Sequence, residues 1–214
     1  GWSGAIVTNS NCTSTGVTVM LKVLLQAFGL NKVFAVSMQA LSGAGYPGVP
    51  SMDIVDNVIP YVDNEEGKVE SEPLKMLGTV QNGVIRPADF KISAHTNRVQ
   101  VTDGHTVCLS IELGRRASIE EVTEALRSYQ APEVSRSLPS APHPVVQVRS
   151  EPDRPQPRLD RMAGNGMTTV VGRLRPDPIL DLKAVVLSHN TIRGAAGGSI
   201  YNAELLVEQG FIPR

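Results

Sequence analysis

The chain of 214 residues holds two cysteines, and one of them, Cys12, lies where a thiol can become a nucleophile. Residues 4–8 are predicted to form a short buried strand, and residues 17–28 a helix that Gly29 ends. Cys12 is thus expected where a strand turns into a helix. Unpaired N–H groups and the helix dipole stabilise an anion there, which can lower the pKa of a thiol. The alternative is a small buried apolar residue, as most free cysteines are.

A histidine at the start of a predicted strand is the second reactive candidate. His105 follows a glycine turn and begins the predicted strand 105–112, in which Cys108 is expected to be a core residue. The other histidines show no metal-ligand spacing with either cysteine, so no metal site is predicted. A cysteine with a distant histidine is shared by cysteine proteases, acyl transferases and thioester-forming dehydrogenases, and leaves these classes open.

Composition restricts the class of protein. The residues are 41% hydrophobic, and 20 basic against 21 acidic side chains give a net charge of −1, which indicates neither a nucleic-acid nor an anionic-membrane partner. Two cysteines form no disulfide framework, no apolar run is long enough to cross a bilayer, and no signal-peptide pattern is present. A cytoplasmic protein is therefore expected. The absence of an initial Met before the first predicted strand indicates a start inside a longer protein.

The predicted elements mix strands and helices in an irregular order. Strands are predicted at 33–39, 91–94, 98–101, 105–112, 167–175 and 179–187, with one more possible at 145–148, and helices at 64–77, 118–129 and 192–209. Pro73 argues against a smooth continuation of the second helix. This order indicates an α+β domain around a mixed, largely antiparallel sheet.

Two groups of glycines have different interpretations. Residues 43–48, Gly-Ala-Gly-Tyr-Pro-Gly, match the dinucleotide-binding pattern, but Pro47 and Pro50 and the lack of a helical apolar stripe predict a loop instead. Glycines at 194, 197 and 198 interrupt the last helical pattern, which indicates close approach of a backbone or a ligand.

Five segments match a known family in order and spacing across nearly the whole chain. They are residues 10–16 (SNCTSTG), 39–45 (QALSGAG), 65–72 (EEGKVESE), 97–105 (NRVQVTDGH) and 192–197 (IRGAAG), and residues 154–161 (RPQPRLDR) fit the same pattern. Together they resemble the fungal and archaeal branch of the aspartate-semialdehyde dehydrogenases.

The resemblance implies roles for five matching positions. Cys12 would form a thioester with the side-chain carbonyl of the substrate, and His105 would be the acid/base. Gln39 would help to orient the acyl intermediate. Arg98 would clamp the α-carboxylate of the substrate through its planar fork, and Glu66 would meet the α-amino group.

The remaining implied contacts are to phosphate and coenzyme. Lys68 would bind the phosphate of L-4-aspartyl phosphate, which NADPH-dependent reduction converts to L-aspartate 4-semialdehyde. Asn11, Gly194 and Gly197 would lie near the nicotinamide of NADP.

The resemblance also implies the architecture. Residues 1–187 would form a catalytic and dimerisation domain, like that of glyceraldehyde-3-phosphate-dehydrogenase-type enzymes with helices on one face of the sheet. Residues 188–214 would form a helix that packs on an N-terminal coenzyme domain missing from this chain, so weak or no NADP binding is expected. A homodimer or homotetramer is implied. The alternatives are a catalytically silent oligomerisation fragment and a cysteine hydrolase.

Overall fold

The computed structural model describes residue 4 and residues 6–212, in which helices and strands follow one another in an irregular order. The helices are α1 (Cys12–Phe28), α2 (Ser51–Ile54), α3 (Glu65–Met76), α4 (Ile119–Ser128), α5 (Glu133–Arg136), α6 (Pro157–Asp160) and α7 (Gly197–Glu208). The strands are β1 (Leu30–Gln39), β2 (Thr79–Gln81), β3 (Val84–Arg86), β4 (Lys91–Arg98), β5 (His105–Leu113), β6 (Val146–Val148), β7 (Thr169–Pro176) and β8 (Leu182–Ser188). Short 3₁₀ turns at Leu41–Ala44 and Ala163–Gly166 and a π-helical turn at Ile192–Ala196 complete the elements. No helix among these is long and apolar enough to cross a membrane.

Six strands form one sheet in the order β4-β1-β5-β8-β7-β6. The three central pairings, β1 with β5, β5 with β8 and β8 with β7, are antiparallel, whereas the outer strands β4 and β6 pair in parallel with their neighbours. The predicted α+β class with a mixed, largely antiparallel sheet is confirmed.

One face of this sheet carries the core. α1 lies across β1, β5, β8 and β7, with α3 and α4 beside it. Met20 and Leu24 of α1 are fully buried against Leu109 and Ile111 of β5 and Ala184 of β8. Burying such side chains contributes about 1.5–3 kcal/mol each. The core therefore fixes the N-terminal end of α1 over the ends of the central strands.

The opposite face of the sheet has no helix packed on it among the described residues. Phe34 of β1 is 40% exposed and Cys108 of β5 is also exposed. The prediction that Cys108 is a core residue is wrong, because side chains alternate along a strand and its neighbours Val107 and Leu109 already point into the core.

Two predicted strands are wrong. Residues 4 and 6–8 form no strand and are exposed, with Ile6 at 94%, and the prediction for Ala5 lies outside the described residues. No neighbouring strand offers them hydrogen bonds within the described part of the chain, and this segment is tied down at Asn9, whose Nδ2 donates to the carbonyl of Ala195. The predicted strand 91–94 lies within β4, which continues to Arg98, so the separate strand predicted at 98–101 is wrong.

Local sequence signals for a helix break, a turn and a helix cap can be compared with the structure. α3 continues through Pro73, which lies buried in its last turn, so the predicted break does not occur. The hairpin of β2 and β3 was not predicted, although its turn, Asn82-Gly83, has positive φ at both residues (52° and 76°), as a type I′ turn requires. Ser118 and Glu121 form a capping box at the N-terminus of α4.

Candidate active site

Cys12 is the first residue of α1, which confirms its predicted position at a helix N-terminus. Asn11 caps this helix, since its Oδ1 atom accepts hydrogen bonds from the N–H groups of Thr13 and Ser14 at 2.9 and 3.0 Å. An asparagine oxygen at this position satisfies donors that have no partner within the helix. The cap fixes where the helix begins and thereby where the thiol lies.

Two glutamates of α3 hold Asn11 from the other side. The N–H of Asn11 donates to Oε2 of Glu72 at 2.5 Å, and its Nδ2 donates to the two carboxylate oxygens of Glu65 at 2.8 and 3.0 Å. The side-chain amide of Asn11, predicted to lie near a nicotinamide, is therefore engaged within the chain. Its observed contacts position Cys12.

The two reactive side chains predicted from the sequence meet in the structure. His105 begins β5 and is buried, and its Nε2 atom lies 3.2 Å from Sγ of Cys12. Its Nδ1 atom accepts a hydrogen bond from the N–H of Ala40 at 3.0 Å. A nitrogen that accepts carries no proton, so the neutral ring is protonated at Nε2 and presents that N–H to the sulfur.

Burial, more than the helix end, sets the protonation of this pair. The pKa of Cys12 is raised by burial and then by the charge of Glu65, while backbone N–H groups of the helix and the charge of Arg98 lower it less. Burial, with the charges of Arg98 and His189, lowers the pKa of His105 to about 3. The chain at neutral pH thus holds a thiol beside a neutral imidazole, where the sequence indicated a lowered thiol pKa.

Arg98 and Gln39 end the neighbouring parallel strands β4 and β1, and both are buried. Nη1 of Arg98 donates to the carbonyl of Ala40 at 2.6 Å, which holds the guanidinium beside the backbone group that orients His105. Nε2 of Gln39 donates to Oε2 of Glu65 at 3.0 Å. A guanidinium and a carboxylate therefore lie on either side of Cys12.

The carboxylate that contacts the residues around Cys12 is that of Glu65, not that of Glu66, to which the resemblance gave the α-amino group of the substrate. Glu65 is 8% exposed and joins Asn11 and Gln39, whereas Glu66 is exposed and accepts from the N–H of Thr96 on the edge strand β4 at 3.2 Å. The contacts of Glu66 do not bring it into the site. Neighbouring helical residues point about 100° apart, so both cannot face the same site. Nζ of Lys68 lies 3.6 Å from Oε1 of Glu65, one turn along the same face.

The two glycines predicted near the nicotinamide lie in different surroundings. A Cβ atom on Gly194 would lie 2.6 Å from Cβ of Cys12, so the absence of a side chain lets the π-helical turn approach the nucleophile. The predicted close approach is confirmed at this residue. A Cβ on Gly197 would meet Sδ of Met167 at 2.8 Å, so this glycine packs away from Cys12.

The coenzyme residues predicted from the sequence do not together form a dinucleotide site. The Asn11 amide is engaged, Gly197 packs on Met167, and only Gly194 borders the nucleophile. The glycine-rich stretch at 43–48 forms a 3₁₀ turn followed by an irregular loop and opens no helix N-terminus for a pyrophosphate.

Two further residues of the site escaped the sequence argument. Gly43 lies against Arg98 and His105, since a Cβ there would be 2.8 Å from both Nη1 of Arg98 and Cε1 of His105. Asn190 is buried and joins two segments: its Oδ1 accepts from the N–H of Gly104 and its Nδ2 donates to Oγ of Ser42, each at 2.8 Å. It ties the turn before His105 to the loop that contains Gly43.

Comparison with known proteins gives one consistent result. Residues 21–193 match the family model described as semialdehyde dehydrogenase, dimerisation domain. The chain is 54% identical over 212 residues to an aspartate-semialdehyde dehydrogenase of Archaeoglobus fulgidus, covering 99% of this chain and 60% of the relative. It is 48% identical over 217 residues to that of Trichophyton rubrum, with 98% and 60% covered.

A solved structure agrees with these sequences. The crystal structure of aspartate semialdehyde dehydrogenase with NADP from Candida albicans is 43% identical and superimposes with a TM-score of 0.88, over 98% of this chain and 59% of that one. The chain thus spans about 60% of the length of the curated relatives it matches. The resemblance to this family, including archaeal and fungal members, is confirmed. The chain belongs to the semialdehyde dehydrogenase dimerisation-domain family.

Proposed function

We propose that the chain is the catalytic part of an aspartate-semialdehyde dehydrogenase, which converts L-4-aspartyl phosphate to L-aspartate 4-semialdehyde through a thioester on Cys12. The observation that carries this is the 3.2 Å contact between the nucleophile and a donor N–H of His105, flanked by Arg98 and Glu65. The opposite charges of Arg98 and Glu65 complement the α-carboxylate and α-ammonium groups of an amino-acid substrate.

The first half of the reaction follows from these positions. With the α-carboxylate on Arg98 and the α-ammonium on Glu65, the β-carbonyl reaches Cys12. The thiol gives up its proton to solvent, Sγ forms a bond to the carbonyl carbon, and the bond from that carbon to the phosphate oxygen breaks, so inorganic phosphate leaves beside Lys68.

His105 acts on the carbonyl oxygen in this proposal. The N–H at Nε2 donates to the oxyanion that forms when the sulfur attacks, as in other oxyanion-stabilising sites. The hydrogen bond from Ala40 to Nδ1 disfavours the imidazolium form of His105. His105 is therefore favoured as a hydrogen-bond donor to the oxyanion over the acid/base that the resemblance implied.

The coenzyme of the proposed enzyme is NADP, whose reduced form, NADPH, would supply the hydride that reduces the thioester. The relative from Candida albicans was solved with NADP. Because Asn11, Gly194 and Gly197 do not together form a dinucleotide site, the chain by itself is expected to bind NADP weakly or not at all. A titration that gives a micromolar dissociation constant would contradict this.

The proposed division places residues 1–187 in the catalytic and dimerisation domain and residues 188–214 against a coenzyme domain. α7 has no buried residue, and Ile200 on it is 56% exposed. Beside it, between α1 and α7, lies a cavity of about 350 Å³. Nε and Nη1 of Arg193, which line this region, are buried with no hydrogen-bond partner among the described residues. An interface that supplies the missing partners accounts for these features.

The proposed assembly is a homodimer formed through the open face of the sheet, or a homotetramer built from such dimers. Val36, Cys108 and Val185 are paired across three adjacent strands of that face, and Phe34 lies two residues before Val36 on β1. Phe34 is 40% exposed, and the family is described by its dimerisation. Packing this face against its copy would give the isologous contact that twofold dimers use.

The function is tested by phosphate exchange, which needs no coenzyme. The chain is incubated with L-4-aspartyl phosphate and radiolabelled inorganic phosphate, and label entering aspartyl phosphate is counted. Exchange that is lost in Cys12→Ser supports the proposal, because reversible acylation of the thiol is the route. Hydrolysis without exchange would establish a cysteine hydrolase instead, and a folded chain with neither activity would be the silent fragment.

A further inference from the structure

We propose that the Glu65 carboxylate keeps Cys12 in its thiol form until the α-ammonium group of the substrate binds beside Glu65. This binding then favours the thiolate, which is the nucleophilic form of Cys12. The inference rests on the proposed function for the identity of the substrate. The control exerted by Glu65 on the thiol is a property of the chain alone and can be tested without substrate.

The geometry places a buried negative charge next to the nucleophile. Glu65 is 8% exposed and is held by Nδ2 of Asn11, the residue before Cys12, and by Nε2 of Gln39. Both donors are neutral amides, so they orient the carboxylate and leave its charge uncancelled. A carboxylate in this position disfavours a second negative charge on the sulfur.

Other charges around Cys12 do not remove this effect. Arg98 favours the thiolate, but burial and the charge of Glu65 outweigh it, and the pKa of Cys12 stays raised. Lys68 lies 3.6 Å from Glu65 with 47% of its side chain exposed, so solvent screens its charge. Glu72, on the N–H of Asn11, adds another carboxylate near the helix N-terminus.

His105 cannot serve as the base that deprotonates Cys12. Its Nε2 atom, 3.2 Å from the sulfur, already carries the proton of the neutral ring because Nδ1 accepts from Ala40. The proton of the thiol must therefore leave to solvent. What changes when substrate binds is the local charge: an ammonium ion against Glu65 forms an ion pair and removes the repulsion that holds the thiol protonated.

This arrangement protects the thiol between turnovers. A thiolate is the form that oxidants and alkylating agents attack, whereas a neutral thiol is much less reactive. Coupling the deprotonation of Cys12 to the α-ammonium group also selects for amino-acid substrates, because an acyl phosphate without that group would meet a protonated thiol.

The test uses the chain with Cys108→Ser, which removes the other thiol, and follows thiolate absorbance as pH is raised. The matching protein with Cys12→Ser as well supplies the blank. We expect Glu65→Gln to move the midpoint for Cys12 to lower pH, and Glu66→Gln, one residue along the same helix but outside the site, to leave it unchanged. At neutral pH, each tenfold gain in thiolate should raise the iodoacetamide labelling rate by about threefold, because nucleophilicity falls as pKa falls.

Two ligands test the effect of the α-ammonium group on Cys12 directly, in the Cys108→Ser protein that keeps Glu65. L-Asparagine and succinamate differ only in the α-ammonium group, and both carry an unreactive β-amide. Saturating L-asparagine should lower the midpoint as Glu65→Gln does, whereas succinamate should not. L-Asparagine should have no further effect in the Glu65→Gln variant.

The proposal would be overturned if the midpoint of Cys12 thiolate formation were the same with and without Glu65→Gln. It would also be overturned if L-asparagine and succinamate shifted that midpoint equally. If Glu65→Gln fails to fold, the ligand pair still decides. The outcome is independent of phosphate exchange: a chain that shows the effect of Glu65 on Cys12 but no exchange would support this proposal and refute the proposed function.

Discussion

Nε2 of His105 lies 3.2 Å from Sγ of Cys12, while Nδ1 of the same ring accepts the N–H of Ala40 at 3.0 Å. The 93 residues that separate the pair in sequence are bridged because α1 crosses the sheet just where β5 begins. The backbone donor fixes the tautomer, so the ring faces the sulfur with a proton. The protonation states of the site therefore follow from a main-chain hydrogen bond that residue types alone do not reveal.

The neutral His105 gives stability a specific pH dependence. Its pKa falls from an ordinary value near 6.5 to about 3 in the folded chain, so the unfolded state binds a proton first as pH decreases. The contribution to stability is full above the unfolded pKa and is lost between pH 6.5 and about 3. Within that window the free energy of unfolding should fall by about 1.4 kcal/mol per pH unit from this residue.

Urea denaturation across that window measures this slope, with His105→Gln as the comparison. The variant should show a shallower decline than the original chain, because only one of them holds this buried titrating ring. Parallel curves for the two proteins would contradict the assignment of a depressed pKa to His105.

Asn11 should be sensitive to a change that N-cap statistics favour. Aspartate is a good N-cap, but Asn11→Asp would replace two N–H donors to Glu65 with a second carboxylate. We expect Asn11→Asp to destabilise the chain by about 1–3 kcal/mol. Asn11→Ser keeps a capping oxygen without the repulsion and should cost less. Chemical denaturation that ranked Asn11→Asp as the more stable variant would show that Glu65 does not face this amide.

Gly43 should be required for steric reasons. A methyl group there would overlap Nη1 of Arg98 and Cε1 of His105, each at 2.8 Å, so Gly43→Ala must displace one or both of these side chains. We expect at least a tenfold loss of phosphate exchange, since misplacement by about 1 Å can cost about a hundredfold.

Gly67→Ala is the matched control for this substitution. A Cβ on Gly67 meets nothing within 4 Å, and this exposed helical position should gain about 0.5–1 kcal/mol of stability with exchange preserved. Full exchange in Gly43→Ala would mean that the loop relaxes without moving the pair.

The open face of the sheet predicts the oligomeric state. Phe34→Asp places a charge at an exposed aromatic position near the centre of this face, beside Lys32 and Glu112 at its edge. Burying that charge in a dimer would cost several kcal/mol, so the variant should be monomeric where the original chain is dimeric. Light scattering after size-exclusion chromatography measures this, with Met52→Asp, an exposed residue away from the sheet, as the control. A dimer that persists in Phe34→Asp would place the interface elsewhere.

Residue types indicated Cys12 and His105, and the family resemblance added Gln39 and Arg98. Cys12, Gln39, Arg98 and His105 each lie at the end of a helix or strand. Glu65 could not be chosen over Glu66 on the same grounds, because both are acidic and the choice depends on which way α3 faces. The i,i+3 spacing from Glu65 to Lys68 was the available signal.

The direction of the Cys12 pKa depends on packing that no local pattern contains. A helix N-terminus favours the thiolate, yet burial and a carboxylate from α3 dominate. Cys108 shows the same limit, since an apolar strand does not reveal which face of its sheet is covered. The β2–β3 hairpin is different, because its Asn82-Gly83 turn was a readable signal.

The most direct test of the account is to trap the intermediate. The chain is mixed with L-4-aspartyl phosphate without coenzyme, quenched in acid and digested, and the peptides are analysed by mass spectrometry. We predict an aspartyl thioester on the Cys12 peptide, absent from the Cys108 peptide, that disappears when inorganic phosphate is added before the quench. A folded chain whose Cys12 peptide stays unmodified while aspartyl phosphate remains in excess would contradict the proposed function.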